Sequence, residues 1–289
     1  MALARAVRAD PGDAPRDFCL WDYERPRPTA PDALKTEALL YASFAATSLP
    51  PKMQEIVTRI RENWGPFMTV WGMKWSTAGP SWELYFYDYA REGRRLGVSE
   101  FLDATHGLIA CDLPSPDDVP YFMFSVELTE AHLNGAPLEQ IDFYIGNPGS
   151  EVSSGICYGQ TARGRELRNF YFFFDAARQK QAILDKLTES AFLDQSRLSI
   201  PQLLWPQMEG AEVIVVANKK DRDSLYFSRV GVDQLAHFMQ RLDFPAPLRA
   251  FLDANRDALA HHLYDVGWDY EVAADGGIVP TKGSIYGIF

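Results

Sequence analysis

The sequence predicts an α+β protein: ten antiparallel strands in five hairpins, closed into a barrel and surrounded by helices. Two observations carry this. Five short segments repeat one object, a strand bearing an aromatic row: Glu83–Tyr89, Gln140–Ile145, Asn169–Phe174, Ser224–Arg229 and Lys282–Ile288. Each follows another strand-like run across a turn, and helical periodicity fills most of the intervals. Side chains alternate along a strand. One face is therefore apolar (Leu84, Phe86; Phe143, Ile145; Phe170, Phe172; Leu225, Phe227) and suits packing on helices. The other carries Tyr, Ser, Asn, Lys and Glu. Closing such a sheet removes its free edges and makes the second face a lumen.

The elements follow in order. Residues 1–34, rich in Pro, Arg and Asp, read as a loosely packed leader, and residues 35–289 as one barrel domain. Apolar positions at helical spacing (Leu39, Leu40, Phe44; then Met53, Ile56, Val57, Ile60) predict helices over 35–48 and 50–63, separated by Pro50-Pro51. The first hairpin spans 68–75 and 82–89 and turns at 77–80. Ser99 caps a helix running to about Ile109. The second hairpin spans 121–128 and 139–145, with Asn134-Gly135 in its loop, and the third spans 155–161 and 168–174, turning at Arg163-Gly164-Arg165. Gly146–Gly149 reads as a turn and Arg94-Arg95 as a surface pair. A helix follows over 176–190, then the fourth hairpin, 212–218 and 224–230, turning at Lys219–Arg222. Helices are expected over 232–241 and 246–263. The last hairpin, 268–272 and 282–289, turns at Asp275-Gly276-Gly277. The order is a repeated α-β-β-α, with a short or missing helix between hairpins two and three.

Composition narrows the function classes. A net charge of −11 argues against a nucleic-acid-binding surface. Cys19, Cys111 and Cys157 are scattered without metal-type spacing and read as free thiols of a reducing compartment. No signal-type or membrane-length apolar run occurs, so a cytoplasmic protein, without membrane or nucleic-acid partners and monomeric, is expected. His106, His132, His237, His261 and His262 form no HxH or HxxxH pair, and no metal site built from protein ligands is expected. No glycine-rich phosphate loop and no GxSxG elbow is present.

The order of hairpins, with Leu225-Tyr226-Phe227 ahead of Val232–Phe238, Val126-Glu127-Leu128 ahead of Asn134 and Leu138, Asn169-Phe170-Tyr171-Phe172, and the final-strand Lys282 and Tyr286, resembles the αββα (ABBA) aromatic prenyltransferases. The likeness covers about residues 65–289. It is strongest to the cyanobactin-type peptide prenyltransferases, the TruF, LynF and PatF group. The resemblance implies a prenyltransferase (PT) barrel. It also implies transfer of a dimethylallyl or geranyl group from an isoprenyl diphosphate (DMAPP or GPP) to an electron-rich side chain of a peptide, during maturation of a ribosomally made natural product (RiPP). A small aromatic or indole metabolite is the alternative acceptor, and a non-catalytic barrel holding an apolar ligand is the alternative function.

The chemistry explains the residue types. Ionising the allylic C–O bond creates a cation and a diphosphate, so cationic side chains must hold the anion and aromatic faces must shield the cation. The resemblance and strand parity together assign Lys74, Arg165, Asn169 and Lys282 to the diphosphate, and Tyr85, Tyr171, Tyr226 and Tyr286 to the cation shield and donor pocket. Four departures stand out. The acid expected in the first strand is absent from Met68–Met73, which leaves Glu83 as candidate general base with Asp142 behind it. Gln140 stands where relatives carry a lysine, and Ser224 where small-molecule members carry an arginine. Tyr85 stands where some relatives place a magnesium-binding aspartate, so Mg²⁺ is expected only as an ion carried by the diphosphate.

Overall fold

A computed structural model describes residues 7–89, 96–147, 152–190, 192, 200–273 and 277–289. Helices α1 (Glu37–Ala46) and α2 (Lys52–Trp64) precede the first hairpin, β1 (Thr69–Ser76) and β2 (Gly79–Tyr87). The register pairs Ser76 with Gly79, so the turn is Thr77-Ala78 alone, tighter than the spacing suggested. Gly79, at φ +106°, supplies a backbone conformation that side-chain-bearing residues resist. Helix α3 (Val98–Ala104) is shorter than expected. Its cap is Asp117, which accepts from the Val98 and Ser99 amides at 3.1 Å each, while the Ser99 hydroxyl donates to that carboxylate.

Strands β3 (Met123–Leu128) and β4 (Gln140–Gly146) flank the one-turn helix α4 (Glu130–Leu133). Strands β5 (Ser153–Thr161) and β6 (Gly164–Asp175) follow, then α5 (Lys180–Thr188) and α6 (Ile200–Leu203). Strands β7 (Val213–Lys219) and β8 (Asp223–Val230) form the fourth hairpin. Helix α7 (Val232–Arg241) is next, and the helix expected over 246–263 divides into α8 (Ala246–Ala254) and α9 (Arg256–Leu259). Strands β9 (Tyr264–Val272) and β10 (Ile278–Ile288) complete the set. The expected features at Gly146–Gly149, Arg94-Arg95 and Asp275–Gly277 lie wholly or largely outside the described residues.

The strands close in the order β1-β10-β9-β8-β7-β6-β5-β4-β3-β2, every neighbour antiparallel. The predicted fold class, a ten-stranded antiparallel barrel within a layer of helices, is the observed one. Outward side chains such as Trp71, Leu84, Phe86, Phe124, Phe143 and Phe227 pack with Leu40, Ile56, Phe101 and Phe238 of the helices in one continuous core. Phe86 stacks on Phe124 at 4.7 Å between ring centroids. Phe170 departs from the expected pattern and is 39% exposed. No helix is long and apolar enough to cross a membrane among the described residues.

The leader also departs from expectation. Asp17, Cys19 and Tyr23 are buried. Asp17 accepts from the Cys19 and Trp21 amides at 2.9 and 3.0 Å and from two guanidinium nitrogens of Arg229 at 3.1 and 3.0 Å. The Phe18 amide donates to Asp265 at 2.8 Å. The segment is therefore a strap across one end of the barrel, bound by contacts more than 200 positions distant in sequence.

Candidate active site

Strand alternation sends a second set of side chains inward. Their central layer is a chain of tyrosines: Tyr85 to Tyr286 at 5.9 Å between centroids, Tyr286 to Tyr226 at 6.3 Å, Tyr226 to Tyr171 at 6.2 Å, and Tyr171 to Tyr144 at 6.0 Å. Glycines on neighbouring strands make room for these rings. A Cβ at Gly72 would meet Tyr286 at 2.8 Å, and one at Gly267 would meet Tyr226 at 2.2 Å. The gap between Tyr144 and Tyr85 is bridged by polar groups. Tyr85 donates to Glu83 at 2.5 Å, Ser125 donates to the other oxygen of Glu83, and the Ser125 and Tyr144 hydroxyls lie 3.3 Å apart. Burial raises the pKa of all five phenols, so they stay protonated near neutral pH.

Above this layer lies a polar chamber of about 890 Å³; below it, an apolar cavity of about 70 Å³. The five tyrosines line both. The charges of the chamber are segregated. Strands β2, β3 and β4 bring Glu83, Glu127 and Asp142, and Lys74 of β1 turns toward them, contacting Glu83 and lying 2.6 Å from Glu127. Across the lumen, β6, β7 and β10 bring Arg168, Lys219 and Lys282. Asp269 of β9 joins the two lysines, 2.8 Å from each, and accepts from Ser224 at 2.6 Å. One carboxylate shared by two ammonium groups leaves that wall with excess positive charge.

The protonation states follow. Burial disfavours charge on Lys74, but the adjacent Glu127 and Glu83 outweigh it and hold the ammonium well above its usual range. Glu127 is drawn down to about 2: burial opposes its ionisation, but the Lys74 charge and hydrogen bonds from Lys74 and Ser81 prevail. Asp142 is pushed up to about 7 by burial and by the charge of Glu83, against Lys74, Arg168 and a 2.6 Å hydrogen bond from Gln140. Lys282 is brought down to about 8 by burial and by Lys219 and Lys74. A carboxyl and an ammonium that both titrate near neutral pH thus face one chamber, an arrangement common at reactive sites.

The chamber gathers Lys74, Glu83, Tyr85, Asp142, Asn169, Tyr171, Tyr226, Lys282 and Tyr286, residues that the resemblance and strand parity together assign to the site. Arg165 is not among them. The register jumps between Cys157 and Tyr158, where Cys157 faces Asn169 but Tyr158 faces Leu167. The extra residue reverses the alternation of β6. Arg165 therefore turns outward beside Gln160, at 3.2 Å, and pairs with Asp118, while Arg168 turns inward. Sequence reasoning missed Arg168, Tyr144, Glu127, Lys219 and Asp269. Tyr144 was available by parity, two positions after Asp142. Glu127 lies directly opposite Glu83, and Asp269 opposite Lys282. Lys219, which the spacing puts in a turn, is instead the last residue of β7 and pairs with Asn169.

Among the described residues no group of three or more His, Cys, Asp or Glu side chains is arranged to hold a metal ion. Glu127 and Asp269 spend their oxygens on lysines and hydroxyls.

No family model matches the sequence, and no curated protein does. Among solved structures the chain is similar to the crystal structure of AnaPT from Neosartorya fischeri. The TM-score is 0.50 at 9% identity, over 86% of this chain and 91% of that one. At that identity the likeness is one of fold, and the two proteins share the closed barrel with its helical surround.

Proposed function

We propose that this protein is a prenyltransferase that moves a dimethylallyl or geranyl group from an isoprenyl diphosphate to an electron-rich aromatic acceptor. The observation that carries this is the tyrosine layer set directly beneath a wall of excess positive charge, within one closed barrel. The resemblance in the hairpin motifs and the shared fold with AnaPT support it.

In this mechanism Arg168, Lys219 and Lys282, with the Asn169 amide, hold the diphosphate. The allylic C–O bond breaks, and its electron pair leaves with the diphosphate, stabilised by those charges. The allylic cation lies against the tyrosine faces, whose quadrupoles attract it and whose rings exclude water. Acceptor π electrons form the new C–C bond, and the displaced ring proton passes to a carboxylate on the opposite wall. Asp142 and Glu83 stand there, with Lys74 fixing Glu83. The segregation of charge suits this division: the anion departs on one side and the proton on the other. Mg²⁺ would arrive on the diphosphate rather than in a protein cage, sharing its charge with the cationic wall.

The acceptor we propose is a side chain of a peptide, in the manner of the cyanobactin-type enzymes that the sequence resembles. The test is incubation with dimethylallyl or geranyl diphosphate and a panel of Tyr- and Trp-containing linear and cyclic peptides, beside small indoles and phenols, read by mass spectrometry. A mass gain of one prenyl group with release of pyrophosphate is expected, strongest on peptides. Product on small aromatics alone would replace the peptide acceptor. Absence of product throughout, together with no binding of isoprenyl diphosphate by calorimetry, would overturn prenyl transfer.

A further inference from the structure

The lumen is closed on the side away from the charged chamber by a residue that belongs to none of its strands. Phe18 and Cys19 of the strap line the apolar cavity together with Val70, Tyr87, Met123 and Phe173. The Phe18 ring stacks on Phe173, with centroids 6.3 Å apart and planes at 21°, and lies 6.1 Å from Tyr286 of the tyrosine layer. Nothing in the proposed chemistry uses this side chain, yet the strap that carries it is tightly held. Asp17 fastens it to Arg229, and Asp265 accepts from the Phe18 amide. Tyr87 donates to the Phe18 carbonyl, and Tyr89 donates to the Cys19 carbonyl at 2.9 Å. Arg229 reaches Asp17 because β8 shifts register between Phe227 and Val230, next to an Arg229 backbone at φ +60°. Anchors come from β2, β8 and β9, so the ring sits at a fixed height in the barrel.

We infer that Phe18 is a specificity-determining residue: its ring is the floor that limits how long an apolar tail the lumen admits beneath the tyrosine layer. This rests on the prenyl-transfer reading. A donor whose diphosphate sits on Lys219 and Lys282 directs its tail past Tyr171, Tyr226 and Tyr286 toward Phe18. The cavity there, about 70 Å³, has room for no more than the branched end of one isoprene unit whose first carbons lie at the tyrosine layer. A second unit must occupy the space now filled by the Phe18 ring, whose bulk is similar. Loss of the ring therefore admits the longer tail, because an apolar pocket discriminates chain length by volume alone.

The test compares wild type with Phe18→Ala and Phe18→Leu, using calorimetric titration of dimethylallyl and geranyl diphosphate and competition turnover of the two. Wild type is expected to prefer the shorter donor. Phe18→Ala is expected to move the geranyl-to-dimethylallyl ratio toward geranyl by roughly tenfold or more, and Phe18→Leu by a smaller step in the same direction. Phe18→Leu keeps an apolar side chain in the strap, so it gives the answer even where Phe18→Ala fails to fold. Unchanged ratios in a folded variant, with wild type binding either donor, would overturn the role of Phe18 and leave prenyl transfer standing. If wild type binds neither diphosphate, prenyl transfer falls, and this inference falls with it.

Discussion

The pH dependence of kcat/KM should be bell-shaped, with its limbs set by two groups that face each other across the chamber. Asp142 must be ionised to take a proton, and its carboxyl, raised to about 7, becomes ionised as pH climbs through that value. Lys282 must be charged to hold the diphosphate, and its ammonium, lowered to about 8, loses its proton as pH climbs further. Both values refer to the free enzyme, which is the state kcat/KM reports. With limbs near 7 and 8, the competent fraction peaks at about 0.6 near pH 7.5 and falls to about 0.1 at pH 6 and at pH 9. Two variants separate the limbs. Lys282→Arg keeps the charge at every working pH, so the alkaline limb should vanish and the roughly sevenfold wild-type loss between pH 7.5 and 9 should disappear. Glu83→Gln removes the negative neighbour that helps raise Asp142, so the acid limb should move to lower pH. The assay is initial-rate pyrophosphate release at subsaturating donor from pH 5.5 to 9.5. A wild-type profile flat between pH 6 and 9, or an alkaline limb that survives unchanged in Lys282→Arg, would refute the assignment.

Further outcomes are expected. Asp142→Asn should lower kcat/KM by roughly 100- to 10,000-fold and abolish the acid limb; wild-type turnover in this variant would remove Asp142 as base. Tyr226→Leu should cut kcat by about 2- to 30-fold, from the loss of roughly 0.5–2 kcal/mol of cation stabilisation, while Tyr226→Phe, which keeps the ring, should cost less. Equal losses in the two would assign the effect to the hydroxyl. Gly267→Ala should destabilise the fold by about 1–3 kcal/mol in denaturant titration, because the new methyl meets the Tyr226 ring at 2.2 Å. An unchanged denaturation midpoint would contradict that packing. Arg168→Met should weaken pyrophosphate binding by roughly 10- to 150-fold, the worth of a charged hydrogen bond, whereas Arg165→Met should leave it within about twofold. The reverse order would restore Arg165 to the site.

The parts of this structure legible in sequence are those governed by period-two alternation. Glu83-Leu84-Tyr85-Phe86 already announces which side chains face the helices and which face the lumen, and Lys282, Ser284 and Tyr286 do the same for β10. Three kinds of feature escaped. A single extra residue at the Cys157–Tyr158 register shift exchanged Arg165 for Arg168, and no local pattern marks where a strand bulges. Charge partners that lie across strands depend on register, so Asp269 beside Lys282 emerges only once the pairing is known. The strap escaped for a third reason. Its stability comes from Asp17 meeting Arg229 and the Phe18 amide meeting Asp265, whereas its local composition of Pro, Arg and Asp is that of a loose segment. The cap of α3 is a smaller case, because Asp117 is 18 residues away from the Ser99 that it engages.

The most direct test of prenyl transfer is a crystal structure with a slowly reacting thiolodiphosphate analogue of dimethylallyl diphosphate at saturating concentration. The diphosphate is expected between Arg168, Lys219 and Lys282, with the first prenyl carbon over the layer formed by Tyr85, Tyr171, Tyr226 and Tyr286. An analogue found outside the barrel, or lying with its diphosphate against Glu83 and Glu127, would contradict the assignment of the two walls and the chemistry built on it.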